Sequence, residues 1–479
     1  MPKAKYLLLA SVIAVLFLAV AACGRDDDTQ QGTQPPAPGE ISGTITLATF
    51  SWDYEADQEL IEAFNIYYPN VTVNLLPFDA DRMDFLSAQA AIGALPDVIR
   101  SPWHEIPVDI AQGWLYPLND LLDTCPEIRY VERNLYDPYD YNGRVYSLPT
   151  NLGFTMFAVN LDMLDAMNED IPAQSEFTIE WFDRMVRQAT TTTTSGISSL
   201  WNVDQFLPAQ LDASLVDQMF NPTTRQFDLT GGAWIRTINL MREWREFPGL
   251  VADQLINWDI REAGGLDDYQ IKFGEGANAV ADGNVLIMRA FTWDFWWLRN
   301  LPFNWDFYTY PFDPAVGYRT QSHADQAVML STTEYPEAAF ALLRFMTYGR
   351  NGTMFRLQRE ANHPDGPSFF IPATRHPEVV AFFESLDFVP NGVMYAYANL
   401  DRSVRGDHYR YVPGFLEATA ITMGDERQRL WDGETDAASV APELQRIMND
   451  ILQQQGETFR ARMEVVQREF YELREEIGR

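Results

Sequence analysis

Cysteine is almost missing from this chain: 479 residues contain only Cys23 and Cys125. Cys23 sits in a leader motif described below, so Cys125 has no partner within the chain and disulfides are excluded as a source of stability. Cys125, beside Pro126, reads as a small buried apolar residue rather than a nucleophile. Lysine is equally scarce, with Lys272 alone following Lys3 and Lys5. No Gly-Lys-Ser/Thr phosphate loop occurs, which leaves nucleotide hydrolysis to some other subunit. Positive charge is short overall: 35 Lys and Arg face 68 Asp and Glu, a formal net charge of −33. A surface of that sign repels nucleic acid and anionic lipid and favours neutral or cationic ligands, so no nucleic-acid partner is expected. The five His are scattered, and no His-Glu-x-x-His, Gly-x-Ser-x-Gly or Cys-His cluster is present. No metal and no cofactor are expected, and a binding protein is favoured over an enzyme.

What is present begins with a leader. Lys3 and Lys5 form a short basic head, Tyr6 to Ala22 is apolar but short for a finished membrane helix, and small residues precede Cys23 in Val20-Ala21-Ala22-Cys23-Gly24. This resembles a bacterial lipobox, in which the cysteine is lipidated and becomes the mature N-terminus. The expected division is a signal peptide over 1–22, then a lipidated Cys23 and a linker over 23–40. The linker, Pro-rich and without a large apolar residue, cannot bury enough surface to offset its ordering entropy. An extracytoplasmic body tethered to the outer face of the cell membrane, or in a periplasm, with membrane contact by the lipid anchor only, follows from these features.

The body exceeds one ordinary core and is expected to split into at least two domains; aromatics at 13% supply ample material for both. It reads as repeated strand, loop and helix. Thr44–Phe50 alternates as a strand, and the Ser51-Trp52-Asp53 loop leads into a helix with Leu60, Ile61, Phe64 and Tyr67 on one face. Val71–Leu75 and Leu95–Ile99 are further strands, with helical spacing over Asp79–Gly93 and Glu105–Gln112 between and after them. Strands are also expected before Pro149, over Phe154–Val159 and over Val285–Met288. Helices are expected over Thr178–Ala189, Gly232–Phe247 and Glu337–Tyr348, the last with Pro336 at its first position. Val440 to Ile451 and Met463 to Ile477 carry helical spacing, and the final segment is expected to pack on the body. The pattern predicts an α/β fold, in which ligands bind in crevices at strand ends.

The order of these features resembles the extracellular solute-binding proteins of ABC importers, the group that includes maltose-binding protein. The residues that carry the likeness are Ile45-Thr-Leu with the Trp52 loop, Pro96-Asp97-Val98-Ile99 running to Leu118, and Asn142–Pro149. Ala281–Met288 before Trp293, and Pro336–Phe345, complete the set. The resemblance covers Ile41 to about Gln455. It implies a two-lobed periplasmic-binding-protein-like fold of type II, the ligand cleft lying between lobes joined by hinge strands near Asn151–Phe154, Met288–Ala290 and Ser331–Glu334. The implied lobes are 41–150 plus 289–332 and 151–288 plus 333–455, with 456–479 a C-terminal helical extension. A monomer is expected that captures a small molecule, a carbohydrate by analogy, and passes it to the transmembrane permease subunits.

A sugar offers apolar CH faces and a rim of hydroxyls, so its binder needs aromatic plates and polar acceptors on loops at strand ends. The candidates are Trp52 and Asp53 after the first strand, Trp103 and His104 after the third, Asn151 at the hinge, and Trp293 with Asp294 after the returning strand. Tyr409 and Tyr411 lie where relatives supply a second-lobe aromatic. Trp296 and Trp297 read as packing. Ser101 and Gly153 depart from the maltose-type pattern, which places an aromatic and a hinge carboxylate there, so maltose itself is not predicted. Alternatives are a binder of peptide or polyamine, a sensory receptor partner, and a secreted glycoside hydrolase with two acids flanking the bond.

Overall fold

In the computed structural model, residues 37–79, 81–101 and 104–476 are described. The signal peptide, Cys23 and the linker up to residue 36 lie outside them, as does Trp103. Among the described residues the strands are β1 (Gly43–Phe50), β2 (Val71–Phe78), β3 (Val98–Ser101), β4 (Ser147–Asn160), β5 (Ser195–Ile197), β6 (Phe220–Asn221), β7 (Gln226–Phe227), β8 (Val285–Phe291), β9 (Trp305–Tyr308), β10 (Thr320–Met329) and β11 (Ser403–Arg405). Nine of them form a mixed sheet in the order β2-β1-β3-β10-β4-β8-β5, with β11 beside β10 and β9 beside β4. β1 runs parallel to β2 and β3, β5 parallel to β8 and β11 parallel to β10, whereas β10 is antiparallel to β3 and β4, and β4 antiparallel to β8 and β9. No helix among the described residues is long and apolar enough to cross a membrane.

The sheet alternates its side chains between cores, as the two-residue period of a strand dictates. On β4, Phe154, Met156 and Ala158 enter one core with Ile45, Leu47 and Val98, while Phe157 and Val159 enter a second with Phe182, Met241 and Trp244. On β1, Ala48 and Phe50 face a further cluster with Ile99 and Ile110. The helix Tyr54–Tyr67 buries Leu60, Ile61 and Phe64 as its periodicity requires, but Tyr67 stays exposed and Tyr68 is buried in its place. The helices Ile179–Gln188 and Ala233–Glu246 bury the faces expected of them.

Two differences from the sequence reading matter. The strands expected on either side of Asn151 are one 14-residue strand, β4, that runs through Asn151 and Gly153 without a break. β10, which the periodicity does not reveal, crosses the sheet centre between β3 and β4. The packing also brings late segments onto early ones: residues from Ala338 to Leu400 share a core with Ile45–Leu148 and with Leu152, Phe154, Met156 and Ala158 of β4, and Tyr308, Tyr310 and Tyr318 pack with Phe157 and Trp244.

The late helix and the expected extension are one 40-residue helix, Ala437–Glu476. Its first half packs Leu444, Met448 and Leu452 against Phe220, Phe227 and Trp234, and its second half packs Phe459 and Met463 against Ile106, Ile110 and Tyr141. Gln467 adds a donor bond to the Tyr141 carbonyl at 3.1 Å.

Candidate functional site

Two turns with one residue pattern open at strand ends. Phe50-Ser-Trp52-Asp53-Tyr54 follows β1 and Phe291-Thr-Trp293-Asp294-Phe295 follows β8. In each, the strand's last residue is a Phe, a single 3₁₀ turn carries the Trp and Asp, and a helix starts at the next aromatic. The Phe is anchored in a core, and the Trp two residues on lies flat against it. Phe50 and Trp52 stack at 4.2 Å and 4°, Phe291 and Trp293 at 4.4 Å and 9°. The Phe covers one face of each indole, and Trp52 is 62% and Trp293 52% exposed. Large apolar rings this exposed are costly unless something covers them.

Both plates line one cavity of about 680 Å³, within the range of small-molecule sites, roughly 300–1,000 Å³. Its walls draw on both main cores: Ile371 is packed into the first, Phe206 and Phe291 into the second. Phe369 and Phe370 add apolar surface, and Asn151, Asn202, Gln205, Gln218, His323, Asp325, Tyr409 and Arg410 form the polar rim. Asn202 (φ 67°) and Gln218 (φ 52°) hold left-handed backbone, which is unfavourable for side chains other than Gly and recurs at functional sites.

The rim charges are balanced against one another. Arg410 donates to Asp325 at 3.1 Å and lies 3.2 Å from Asp407, while Asn151 Nδ2 donates to Asp325 at 3.3 Å. Burial works against the Arg410 charge, but Tyr409, Asp325 and Asp407 hold it protonated above the ordinary arginine range. Its Nη1 is buried and finds no hydrogen-bond acceptor among the described residues. Burial pushes the Tyr409 phenol up to about 12 and lowers the pKa of His323, whose Nε2 lies 2.5 Å from Thr155 Oγ1. A polar donor without a partner costs about 1–3 kcal/mol, which a hydroxyl-bearing ligand can recover.

Of the sequence candidates, Trp52, Asn151, Trp293 and Tyr409 meet at this cavity. Four described candidates do not. Asp53 turns to Arg100 at 3.0 Å, a guanidinium shared with Asp57. His104 is sealed at 0% exposure with Nδ1 3.3 Å from Asp109, and burial lowers its pKa to about 4. Asp294 accepts the Phe291 N–H at 2.9 Å as a local cap. Tyr411 is buried against Arg405, because in the 3₁₀ turn His408–Arg410 two residues of separation do not share a face. Trp296, read as packing, is exposed. The residues missed, His323 and Asp325 above all, lie on β10, and Asn202 and Gln218 carried no signal beyond being amides in turns. No group of three or more His, Cys, Asp or Glu among the described residues is placed to hold a metal.

A cleft at the carboxyl ends of parallel strands, roofed by segments of two cores and lined with stacking plates and amides, defines a small-molecule binding protein. The chain belongs to the bacterial extracellular solute-binding proteins, whose family profile matches residues 59–354. Its fold is the two-lobed type II arrangement of periplasmic binding proteins. Similar solved structures include the ABC substrate-binding protein Lmo0181 of Listeria monocytogenes in complex with cycloalternan, at 17% identity and TM-score 0.63, covering 87% of this chain and 99% of that one. The sugar-binding protein MalE of Xanthomonas citri is similar at 14% identity and TM-score 0.63, with coverage of 87% and 99%. UgpB of Mycobacterium tuberculosis, in complex with glycerophosphocholine, is similar at 16% identity and TM-score 0.61, with coverage of 86% and 99%.

Proposed function

We propose that this protein is the lipid-anchored substrate-binding component of an ABC importer, capturing a sugar or oligosaccharide in the Trp52–Trp293 cavity and delivering it to a membrane permease. The observation that carries the reading is the pairing of two half-exposed indole faces with an amide-rich, charge-balanced rim in one cavity. Indole faces match the CH faces of a pyranose, and Asn151, Asn202, Gln205, Gln218 and Asp325 match its hydroxyls. Contacts from segments of both lobes stabilise only a closed form, so binding and lobe closure are coupled and the closed form is what a permease recognises. The complexes of similar proteins with cycloalternan, alpha-D-tagatose and maltotetraose agree with this ligand class.

Arg410 favours a hydroxyl-bearing ligand: its charge is matched by Asp325 and Asp407, and its buried Nη1 offers a donor to a hydroxyl or ring oxygen. Thermal-shift screening of the purified body against mono- and oligosaccharides, peptides and polyamines tests the proposal. A stabilising sugar is expected; a complex at one hundred times its Kd raises stability by about 2.7 kcal/mol. Silence from every sugar with a response to peptide or polyamine overturns it.

A further inference from the structure

Gly153 lies at the centre of the sheet, where the packing across three strands explains why no side chain is present. On one side β10 places His323 directly opposite Gly153. On the other, β8 pairs Phe291 with Thr155, and the antiparallel register continued two residues past the strand end brings Trp293 opposite Gly153. The Phe154 N–H donates to Thr292 Oγ1 at 2.9 Å and holds that continuation in place. Trp293 therefore reaches across Gly153 and meets the His323 ring edge-on, with centroids 5.8 Å apart and planes at 74°. A Cβ at Gly153 would stand 2.8 Å from Trp293 Cζ3 and 3.0 Å from Cε3. Gly406 does the same for His323, since a Cβ there would stand 2.8 Å from His323 Cε1.

We infer that Gly153 is a specificity-determining residue: it is the seat that lets the Trp293 plate lie down across the strand, and so sets the height of one wall of the cavity. An aromatic ring laid over a strand glycine covers backbone that would otherwise meet water and offsets glycine's weak strand propensity. Any side chain at 153 lifts the indole off the strand and into the space that the ligand occupies. The consequence for ligand choice rests on the sugar reading above; the seat itself does not.

A double-mutant cycle of Gly153→Ala with Trp293→Ala, read by thermal unfolding of the unliganded protein, tests the seat. The backbone at 153 is not left-handed, so alanine alone is favoured there by its lower unfolded-state entropy. In the parent, Gly153→Ala is expected to lower Tm by about 2–4 °C through the clash; with Trp293 already removed, the same change is expected to leave Tm unchanged or raise it. Equal effects in both backgrounds overturn the proposal. Titration with maltotetraose and with raffinose separates the two claims. A reversal of sign without binding of either sugar keeps the seat and counts against the sugar reading. Binding of one of them that Trp293→Ala weakens tenfold and Gly153→Ala leaves untouched overturns the role in ligand selection.

Discussion

The turns after β1 and β8 have the same residue pattern and the same stacked geometry, yet their aspartates do different work. Asp53 leaves its turn to join a charge network, where Arg100 spans Asp53 and Asp57 at 3.0 Å each and Thr49 Oγ1 donates to Asp57 at 2.5 Å. Asp294 stays home and caps the Phe291 N–H. The floors differ too: Phe78 supports Phe50 under Trp52, whereas Gly153 and His323 flank Trp293. The local pattern Phe-x-Trp-Asp thus specifies the plate, because an anchored Phe and a single 3₁₀ turn are enough to lay the indole down. What the carboxylate does is decided by whether a cation stands on the neighbouring strand, as Arg100 does on β3.

The contrast is broken hardest at Arg100. Arg100→Met leaves Asp57, 2% exposed, and Asp53 as neighbouring carboxylates without their shared cation. Loss of one partner from a buried ion pair costs about 3–5 kcal/mol, and chemical denaturation should show a deficit of that size at pH 7. The deficit should shrink on acidification, because protonation removes the unpaired charge. Burial already raises the Asp53 pKa, so that carboxyl takes up its proton early in such a titration. A loss below about 1 kcal/mol would mean that Arg356, whose Nη1 is bound to the Thr150 and Met346 carbonyls, carries the carboxylates instead.

The third strand end extends the comparison. Beyond β3, His104 joins Asp109 and Arg82 in a sealed cluster, Arg82 Nη1 meeting both Asp109 oxygens at 2.7 and 2.8 Å. Burial lowers the His104 pKa from 6.5 to about 4. The unfolded chain therefore binds a proton between those values that the folded chain refuses, and stability falls as pH drops from 6.5 to 4, by about 3 kcal/mol over the window. Urea midpoints measured across it should show this slope, and His104→Asn should flatten it. An unchanged slope in the variant assigns the acid sensitivity to other groups.

The turns and the sealed cluster together show what a sequence discloses. Trp52, Trp293 and Asn151, named from their places at strand ends and the hinge, and Tyr409, named from the family resemblance, line one cavity. β10 was not legible, since Gln321, Ser322, His323, Asp325 and Gln326 interrupt any apolar alternation. Their burial is made good by distant partners: Gln321 donates to the Phe206 carbonyl, Gln326 to Leu135, and Asp407 accepts the Ala324 N–H. Hydrophobic periodicity is silent wherever polar residues are buried with tertiary partners. Gly153, noted in the sequence only as lacking the hinge carboxylate of the maltose-type pattern, has the space of its missing side chain filled by the Trp293 ring.

The smallest expected effect falls on Asp294, and it is the one that separates a cap from a ligand acceptor. Asp294→Ala frees the Phe291 N–H at the start of the turn, a loss of about 1 kcal/mol for a local cap. In a protein of this size that lowers Tm by only about 1 °C. The indole remains stacked on Phe291 and seated over Gly153, so saccharide affinity should fall by less than about threefold, since a tenfold change requires about 1.4 kcal/mol of lost contact. A larger fall in affinity with Tm barely moved would place the Asp294 carboxylate among the groups that touch the sugar. The two turns would then be alike in their plates and unlike in which of their aspartates the ligand reaches.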